Sequence, residues 1–471
     1  MPLVAGIDSS TQSCKVVIHD LETGVLVRFG RAPHPDGTEV HPDAWWAALT
    51  HAVEAAGGIH DVAAVAVAAQ QHAMICLDDT GTVVRPAVLW NDMRSTQAAT
   101  DLIGELGAGE TGPREWIRAV GLIPRPSHTV TSLRWLAEHE PMNAARTAAA
   151  CLPHDWLTSR LLASRGVGSL VTDRSDASGT GYWSAVTGQY RMDLLHRALG
   201  HDAVVPRVLG PFEPAGVTAG GAVVGPGAAD NAAVALGVAA GPGDVIISIG
   251  TSGVVSAIAN APVADPTGQV IDFADATGRF LRMAATPNAA RVLDAAARIL
   301  GVRHDEFARL ALSAPPGSGG LVVLPYIKTG STRAQLRATG VVHGLTEANS
   351  TAAHFARATV EGVLCGLADA LDALMLHDGG PQRLLLVGGA ARSAAVRQIA
   401  PTVFRQPMII TGIDELGAYG AARQAGWALQ STPEPPPWRP AEAQELRSAA
   451  VPSIRSRFAD VHRRFQLPLR N

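Results

Sequence analysis

Two polar turns, each placed between two apolar runs rich in β-branched residues, are the first candidates for chemistry in this sequence. Residues 8–13 (DSSTQS) stand between LVAGI and CKVVI, and residues 250–253 (GTSG) stand between DVIISI and VVSAI. Turns of this kind direct several backbone amides into one concave surface, which binds anions such as phosphate. Either turn alone is typical of an ordinary polar hairpin. Their recurrence in two parts of the chain predicts two phosphate-binding turns that face one cleft.

A carboxylate, Asp230, follows a glycine-containing loop and directly precedes an alanine-rich stretch that is typical of a helix. One interpretation is a helix N-cap, whose side chain accepts hydrogen bonds from the first backbone amides of the helix. The other is a general base, because phosphoryl transfer to a hydroxyl needs a group that takes the proton of the attacking oxygen. The two interpretations are compatible, and the sequence leaves both open.

Small or polar residues follow several other apolar runs. Residues 388–393 (GGAARS) come after the apolar run 383–387, where they would let a flat ligand or a phosphate approach the backbone, although a plain tight turn has the same composition. Residues 70–72 (QQH) and 90–92 (WND) could meet the hydroxyl groups of a sugar. A lone histidine in such a loop is also typical of a structural hydrogen bond. The GxGxxG match at residues 107–112 follows a helix-like stretch rather than a strand, so we interpret it as accidental.

Composition narrows the class of protein. The chain has 471 residues, 17% of them charged, and a formal net charge of −4, which predicts two to four folded domains and argues against a disordered chain or a nucleic-acid-binding protein. The four cysteines are far apart and are typical of buried thiols in a reducing compartment. The first ten residues do not resemble a signal peptide, and no uninterrupted run of about 18 apolar residues is present. We therefore expect a cytoplasmic protein without a membrane segment.

The elements that must position these residues form a repeating pattern. A meander of three strands is predicted within residues 3–29, and a similar pattern begins at residue 244. The repeat predicts two related domains, residues 1–240 and 241–430, around a central cleft. Residues 431–471 are predicted to form a proline-rich connector and a last amphipathic helix, whose apolar face would comprise Val451, Ile454, Phe458, Val461 and Phe465.

Nine segments, in order along residues 1 to about 425, resemble the FGGY family of carbohydrate kinases. They read GIDSSTQSCK (6–15), EVHPDAWW (39–46), QQHA (70–73), WNDMR (90–94), TDRSDASGT (172–180), ADNAAVALG (229–237), IGTSG (249–253), LPY (324–326) and LVGGAARS (386–393). The QQH loop followed by WNDMR is most similar to the branch of the family that phosphorylates xylulose.

The resemblance implies an α/β chain with the actin-like ATPase fold, in which two ribonuclease-H-like domains close over a sugar and ATP with Mg²⁺. It implies that Asp230 is the catalytic base and that Asp8 is the carboxylate associated with Mg²⁺. The residues that would bind the nucleotide phosphates are Ser10, Thr11 and Lys15 in the first half and Gly250, Thr251 and Ser252 in the second. Those that would contact adenosine are Gly388, Gly389 and Arg392. Those that would face the sugar are Gln71, His72, Trp90 and Asn231.

The implied reaction is transfer of the γ-phosphoryl group of ATP to the terminal hydroxyl of D-xylulose, giving D-xylulose 5-phosphate. Two alternatives are a kinase for another ketose or polyol, such as ribulose or glycerol, and a nucleotide-binding regulator that does not turn over. Both Asp8 and Asp230 are present, which argues against the regulator, because a nucleotide-binding protein needs no base over a sugar. The expected partners are the sugar and ATP, without nucleic acid or membrane, and a homodimer is left open.

The sequence also departs from the family's usual pattern at a few positions. Ser10 stands where the family usually has glycine, Ala73 ends the QQHA loop, and alanines occupy positions 228 and 229. Residues 324–333 read LPYIKTGSTR, without the glutamate that is usual in the family. These departures bear on the sugar that is accepted and on the rate, rather than on membership of the family.

Overall fold

Two mixed seven-stranded sheets organise the chain. The computed structural model describes residues 2–163, 166–327, 339–375, 380–438 and 443–465. The strands of the first half are β1 (Leu3–Ser9), β2 (Ser13–Asp20), β3 (Leu26–Pro33), β4 (Glu39–Val40), β5 (Val62–Ala69), β6 (Ile75–Leu77), β7 (Ala87–Val88), β8 (Ala149–Cys151), β9 (Val171–Asp173), β10 (Trp183–Ser184), β11 (Gln189–Tyr190), β12 (Arg207–Leu209), β13 (Gly216–Val217), β14 (Val223–Val224) and β15 (Ala228–Ala229). Its helices are α1 (Pro42–Ala55), α2 (Thr96–Glu105), α3 (Thr111–Val120), α4 (Thr129–His139), α5 (Pro141–Arg146), α6 (Pro153–Leu161), α7 (Arg174–Ala177), α8 (Met192–Leu199) and α9 (Asp230–Gly237).

The second half contributes fewer strands and longer helices. Its strands are β16 (Asp244–Ile249), β17 (Gly253–Ala259), β18 (Ile271–Ala274), β19 (Phe280–Thr286), β20 (Val322–Leu324), β21 (Val341–His343), β22 (Arg383–Val387), β23 (Met408–Ile410) and β24 (Gln444–Leu446). Its helices are α10 (Ala290–Leu300), α11 (His304–Ser313), α12 (Ala352–Met375), α13 (Ala394–Phe404), α14 (Leu416–Gln430) and α15 (Pro452–Phe465). No helix in the described ranges is long and apolar enough to cross a bilayer.

The same strand order occurs in both sheets. In the first sheet β3, β2 and β1 form the predicted antiparallel meander, and β5 pairs in parallel with β1. In the second sheet β19, β17 and β16 form an equivalent meander, and β22 and β23 follow in parallel. The predicted repeat and the actin-like, ribonuclease-H-like fold are therefore confirmed.

The amino-acid composition of β5 explains why this strand lies in the centre of the first sheet. The sequence of β5 is VAAVAVAA, in which nearly every residue is buried and apolar residues do not alternate with polar ones. A strand covered on both faces needs this composition, and α/β folds cover both faces with helices. In the first sheet α1 covers one face and α14 the other.

Helices α9 and α14 lie between the two sheets and touch through glycine. A Cβ atom on Gly420 of α14 would lie 1.8 Å from the carbonyl oxygen of Ala233 in α9, and one on Gly237 would lie 2.7 Å from the carbonyl oxygen of Leu416. A Cβ atom on Gly6 of β1 would lie 1.9 Å from the carbonyl oxygen of Ala418. Helix α14 therefore contacts the backbone of both α9 and the first sheet, although it comes from the far end of the second half.

The segment after α14 contacts both halves. Trp438, near the end of the proline-rich stretch, is buried, and its indole Nε1–H donates to the carbonyl of Leu21 at 2.8 Å. Strand β24 then extends the second sheet beside β23. In α15 the apolar face holds Ile454, Phe458 and Val461 as predicted, but Phe465 is 48% exposed and lies outside the buried stripe.

The glycine contact between α9 and α14 predicts opposite effects for two identical substitutions. Gly420→Ala should destabilise the protein by about 1–3 kcal/mol, because a methyl group cannot enter the contact unless the two backbones separate. Gly366→Ala, in the middle of α12, meets no atom within 4 Å and should stabilise the protein by about 0.5–1 kcal/mol through helix propensity. Thermal unfolding of both variants beside the wild type checks this, and equal melting temperatures for the two variants would contradict it.

Candidate active site

A cleft of about 1100 Å³ separates the two halves and is lined by residues of both. Asp8 and Lys15 reach it from the first half. The second half contributes the other predicted residues in its lining, which are Gly250, Thr251, Gly388, Gly389 and Arg392. The structure thus brings together the two polar turns, as the sequence pattern predicts, and adds the glycine-rich turn that the resemblance assigns to the nucleotide. Polar residues that the sequence analysis did not select also line the cleft, among them Arg31, Asp414 and Glu415.

Asp8 lies at the cleft end of β1 and belongs to a small charged network. The β1–β2 register places Lys15 opposite Asp8, and Lys15 Nζ lies 3.1 Å from Asp8 Oδ2 and 3.2 Å from Glu415 Oε2. The hydroxyl of Ser10 donates to Asp8 Oδ1 at 2.7 Å. Burial lowers the pKa of Lys15, but the attraction of the two carboxylates outweighs it, and the net shift is upward. Lys15 is therefore a permanent cation at the start of the cleft.

Asp230 is the first residue of α9 rather than its N-cap. The N-cap position is Ala229, which β15 holds in an extended conformation beside β5, and the N-cap interpretation of Asp230 is wrong for that reason. The Asp230 Oδ1 atom accepts hydrogen bonds from the backbone N and the Nδ2 of Asn231, at 2.7 and 2.9 Å. Burial, and then the negative charge of Asp8, raise the pKa of the Asp230 carboxyl to about 6. A carboxylate with a raised pKa beside a second carboxylate is a candidate proton acceptor.

The two turns of the second half support each other. Gly388 follows β22 with φ +93°, and a Cβ atom there would lie 2.8 Å from the carbonyl oxygen of Ile249 at the end of β16. Only glycine tolerates this backbone conformation and this close approach together. Gly388, Gly389 and Thr251 are exposed to the cleft, so backbone groups there can meet a ligand. Arg392 forms an exposed ion pair with Asp414, 2.9 Å apart.

The QQH loop is anchored to the segment around α7. The Gln71 Nε2–H donates to the carbonyl of Ser175 at 2.6 Å, and His72 Nδ1 lies 2.8 Å from the carbonyl oxygen of Gly179. Burial lowers the pKa of His72 to about 4, so the ring is neutral and its one N–H, on Nδ1, is donated to Gly179. The structural hydrogen bond weighed for this histidine therefore exists at Nδ1, and Nε2 is left as the acceptor atom of the ring.

Two other residues predicted to face the sugar use their N–H groups within the protein. The Trp90 indole Nε1–H donates to Thr11 Oγ1 at 3.0 Å, which ties the WND segment to the first polar turn. Asn231 donates to Asp230, as described above. The part of the LPYIKTGSTR segment from residue 328 onward, including the position of the missing glutamate, lies outside the described residues.

The missed residues differ in how visible they are in the sequence. Asp414 and Glu415 end a polar stretch, TGIDE, between the apolar run of β23 and the helix α14, and the same rule that selected the other turns could have selected this one. The anchoring role of α7 has a weaker signal. Its segment, TDRSDASGT, matched the family pattern, but nothing in the local sequence shows which loop it holds.

Comparison with known proteins identifies the family of this chain. The model of the N-terminal domain of the FGGY family of carbohydrate kinases matches residues 3–248, and that of the C-terminal domain matches residues 245–429. The chain is 39% identical to a xylulose kinase of Streptomyces rubiginosus over 96% of this chain and 92% of the relative, and 40% identical to one of Streptomyces coelicolor over 91% and 88%. The crystal structure of xylulose kinase from Bifidobacterium adolescentis superposes with a TM-score of 0.89 at 41% identity, covering 98% of this chain and 99% of that one. The chain therefore belongs to the FGGY family of carbohydrate kinases.

Proposed function

We propose that this carbohydrate kinase transfers the γ-phosphoryl group of ATP to the terminal hydroxyl of D-xylulose, giving D-xylulose 5-phosphate and ADP. The observation that carries the proposal is that Asp8 lines the cleft that the candidate phosphate-binding turns of both halves border, and that its charge acts on the Asp230 carboxyl. The choice of xylulose rests on the full-length relatives at about 40% identity.

In the proposed mechanism Asp230 is the catalytic base. The sugar oxygen forms a bond to the γ-phosphorus, the bond between that phosphorus and the bridging oxygen of ADP breaks, and the hydroxyl proton passes to the Asp230 carboxylate. The hydrogen bonds from Asn231 fix the orientation of this carboxylate, since both are received by Oδ1. We assign Gln71 and His72 to the sugar side of the site and Trp90 to the support of the first turn.

The phosphate side is assigned to the two turns and to the glycine-rich turn. Lys15, Ser10 and Thr11 belong to the first turn, Gly250, Thr251 and Ser252 to the second, and Gly388, Gly389 and Arg392 would lie against the nucleotide. The first turn also fits a divalent metal, because the carboxylate of Asp8 is a hard oxygen donor. A second carboxylate, Asp230, lies close enough for the charge of Asp8 to raise its pKa, so the region is negative overall. Asp8 would hold Mg²⁺. When bound, this ion would neutralise negative charge on the β- and γ-phosphate oxygens.

A panel of sugars tests the substrate. We expect kcat/KM for D-xylulose to exceed that for D-ribulose, glycerol and gluconate in an assay that couples ADP release to a spectroscopic signal, with ATP and Mg²⁺ saturating. Heat-denatured protein and a reaction without sugar serve as controls. Higher kcat/KM for any other member of the panel would contradict the assignment of xylulose, and ADP release that no sugar stimulates would contradict the kinase function as a whole.

Asp230→Asn should lower kcat by about 10²–10⁴-fold, because the amide keeps the shape of the carboxyl but takes no proton. The KM for ATP should change little. The melting temperature at pH 8 should be equal to or higher than that of the wild type, since the raised pKa means that the ionised carboxylate costs stability above about pH 6. Steady-state kinetics and thermal unfolding check these three outcomes. A kcat above about a tenth of wild type would exclude Asp230 as the base.

The pH dependence of kcat/KM should report the ionisation of Asp230. A base must be unprotonated to act, so kcat/KM for xylulose should fall about tenfold per pH unit below the pKa of Asp230, which is about 6 in the free protein. The residual activity of Asp230→Asn should lack this acid limb. If the limb persisted unchanged in the variant, a different group would be responsible for it.

A further inference from the structure

A fully buried charged cluster lies beneath the loop that carries Asp230. His154 and Asp155 come from the first turn of α6, and Asp176 comes from α7. The His154 Nδ1 atom lies 2.6 Å from Asp176 Oδ2 and 3.1 Å from Asp155 Oδ1, and all three side chains are inaccessible to solvent. None of the three has a place in the mechanism proposed above.

Both nitrogens of the His154 ring face oxygen acceptors. Nδ1 faces the two carboxylates, and Nε2 lies 2.9 Å from the carbonyl oxygen of Pro226. A neutral imidazole carries one N–H and satisfies only one such acceptor, whereas an imidazolium satisfies both. Burial alone lowers the pKa of His154, but the charges of Asp155 and Asp176 outweigh it and raise the pKa to about 10, while burial raises the pKa of the Asp155 carboxyl to about 6 and that of the Asp176 carboxyl to about 7. Because each ring nitrogen lies within hydrogen-bond distance of an oxygen acceptor, we assign the ring as a buried cation that donates in two directions.

The second of these hydrogen bonds leads to the catalytic loop. Pro226 stands four residues before Asp230, and the next residue, Gly227, has φ +82°. A Cβ atom on Gly227 would lie 2.2 Å from Cδ2 of His154, so the loop backbone rests directly on the imidazole ring.

A second contact ties the same loop to α7. The backbone N–H of Ala229 donates to Ser175 Oγ at 2.9 Å, and the Ser175 hydroxyl donates its own proton to Asp173 Oδ2 at 2.6 Å. The orientation of the Ser175 hydroxyl is thus fixed by the N-cap of α7, which is Asp173. The residue that follows Ala229 is Asp230.

The segment around α7 also holds the loop assigned to the sugar. The carbonyl groups of Ser175 and Gly179 accept the hydrogen bonds of Gln71 and His72 that were described for the site. The base and the sugar-side loop are therefore both attached to one short segment, residues 173–179.

We propose that His154 is a positioning residue, whose buried imidazolium joins Asp176 of α7 to the carbonyl of Pro226 and so holds Asp230 in register with Gln71 and His72. This inference rests on the proposed role of Asp230 as the base. It assigns a function in the kinase reaction to a histidine that does not touch the cleft.

The distances argue for a proton rather than a metal ion in the cluster. A zinc ion bonded to a nitrogen and an oxygen at about 2.0–2.2 Å in tetrahedral geometry would keep the two ligand atoms about 3.4 Å apart. The observed separation of His154 Nδ1 and Asp176 Oδ2 is 2.6 Å, which is a hydrogen-bond distance.

Three histidine variants test the proposal. His154→Gln removes the charge and leaves a single N–H₂ group, which cannot serve both the carboxylates and Pro226. His154→Lys restores a cation with three N–H donors. His19→Gln is the matched control, because His19 is also a buried histidine that contacts a carbonyl, that of Gly24 at 2.9 Å, but it lies at the opposite end of β2 from Lys15.

We expect kcat to fall when the positive charge at position 154 is removed and to recover when a lysine restores that charge. We expect His154→Gln to lower kcat by about 10–100-fold, as for a small displacement of a catalytic group, to raise the KM for xylulose and to leave the KM for ATP nearly unchanged. His154→Lys should recover most of the lost kcat. His19→Gln should lower the melting temperature but keep wild-type kcat, measured well below that temperature.

Three results would overturn the proposal. The first is wild-type kcat in folded His154→Gln, which would make the histidine purely structural. The second is an equal loss of kcat in His154→Gln and His154→Lys while both remain folded. The third is one equivalent of a transition metal in the purified wild-type protein, detected by plasma mass spectrometry and absent from His154→Gln.

A second variant covers the case in which His154→Gln does not fold. Ser175→Ala removes the acceptor of the Ala229 N–H and should produce the same pattern, a lower kcat with an unchanged KM for ATP, whereas wild-type kcat in Ser175→Ala would overturn the proposal. The proposed function fails separately. If Asp230→Asn kept wild-type kcat, Asp230 would not be the base. If Asp230→Asn lost activity but the His154 and Ser175 variants kept wild-type kcat, only the positioning role would be wrong.

Discussion

The backbone contact between α9 and α14 is the constraint on which the site depends. Both helices begin at the cleft: α9 starts with Asp230, and α14 starts directly after Glu415, the partner of Lys15. A Cβ atom on Gly417, in the first turn of α14, would lie 3.0 Å from Asp8 Oδ2. Because Gly420 lets the two helices approach to backbone distance, the charged groups at their starts are brought beside Asp8. A side chain in that contact would separate the helices, and the groups at their starts would move apart with them.

The negative charges of the site lower the stability of the folded protein, and packing elsewhere must offset this loss. Two carboxylates of the cleft, Asp8 and Glu415, share the ammonium of Lys15, while Asp230 is left with hydrogen bonds from a neutral neighbour. Burial, and then the charge of Asp8, raise the pKa of Asp230, so the ionised carboxylate is destabilising in the folded protein. Active sites commonly retain such groups at the expense of stability. In this chain the close packing of glycine and alanine residues between α9, α14 and both sheets contributes stability that offsets it.

The fold and the cleft were largely predictable because strand, turn and strand patterns are local, and their repetition is visible along the chain. Asp8 and Gly250 could be placed on that basis, whereas the placement of Lys15 and Gly388 at the site came from the resemblance to the family. What could not be predicted depends on partners distant in sequence. The N-cap interpretation of Asp230 failed because the pairing of β15 with β5 shifts the helix start by one residue, and no local pattern shows that pairing. The hydrogen bonds of Gln71 and His72 span 104 and 107 residues, so sequence could mark the loop as polar but not say what it holds.

The origin of α14 has a consequence for how the protein is made. The first sheet is complete in sequence by residue 229, yet the helix that covers its Gly6 face comes from Leu416–Gln430, and the indole N–H of Trp438 donates to the carbonyl of Leu21, 417 residues away. At about 5–20 residues per second, a ribosome needs roughly 10–40 s to synthesise the intervening 200 residues. During that interval the apolar surface formed by Val4, Val17, Ala64 and Ala66 has no covering helix. The first half is therefore synthesised first but completed only when α14 has been made, and until then its uncovered sheet is open to chaperones or to misassociation.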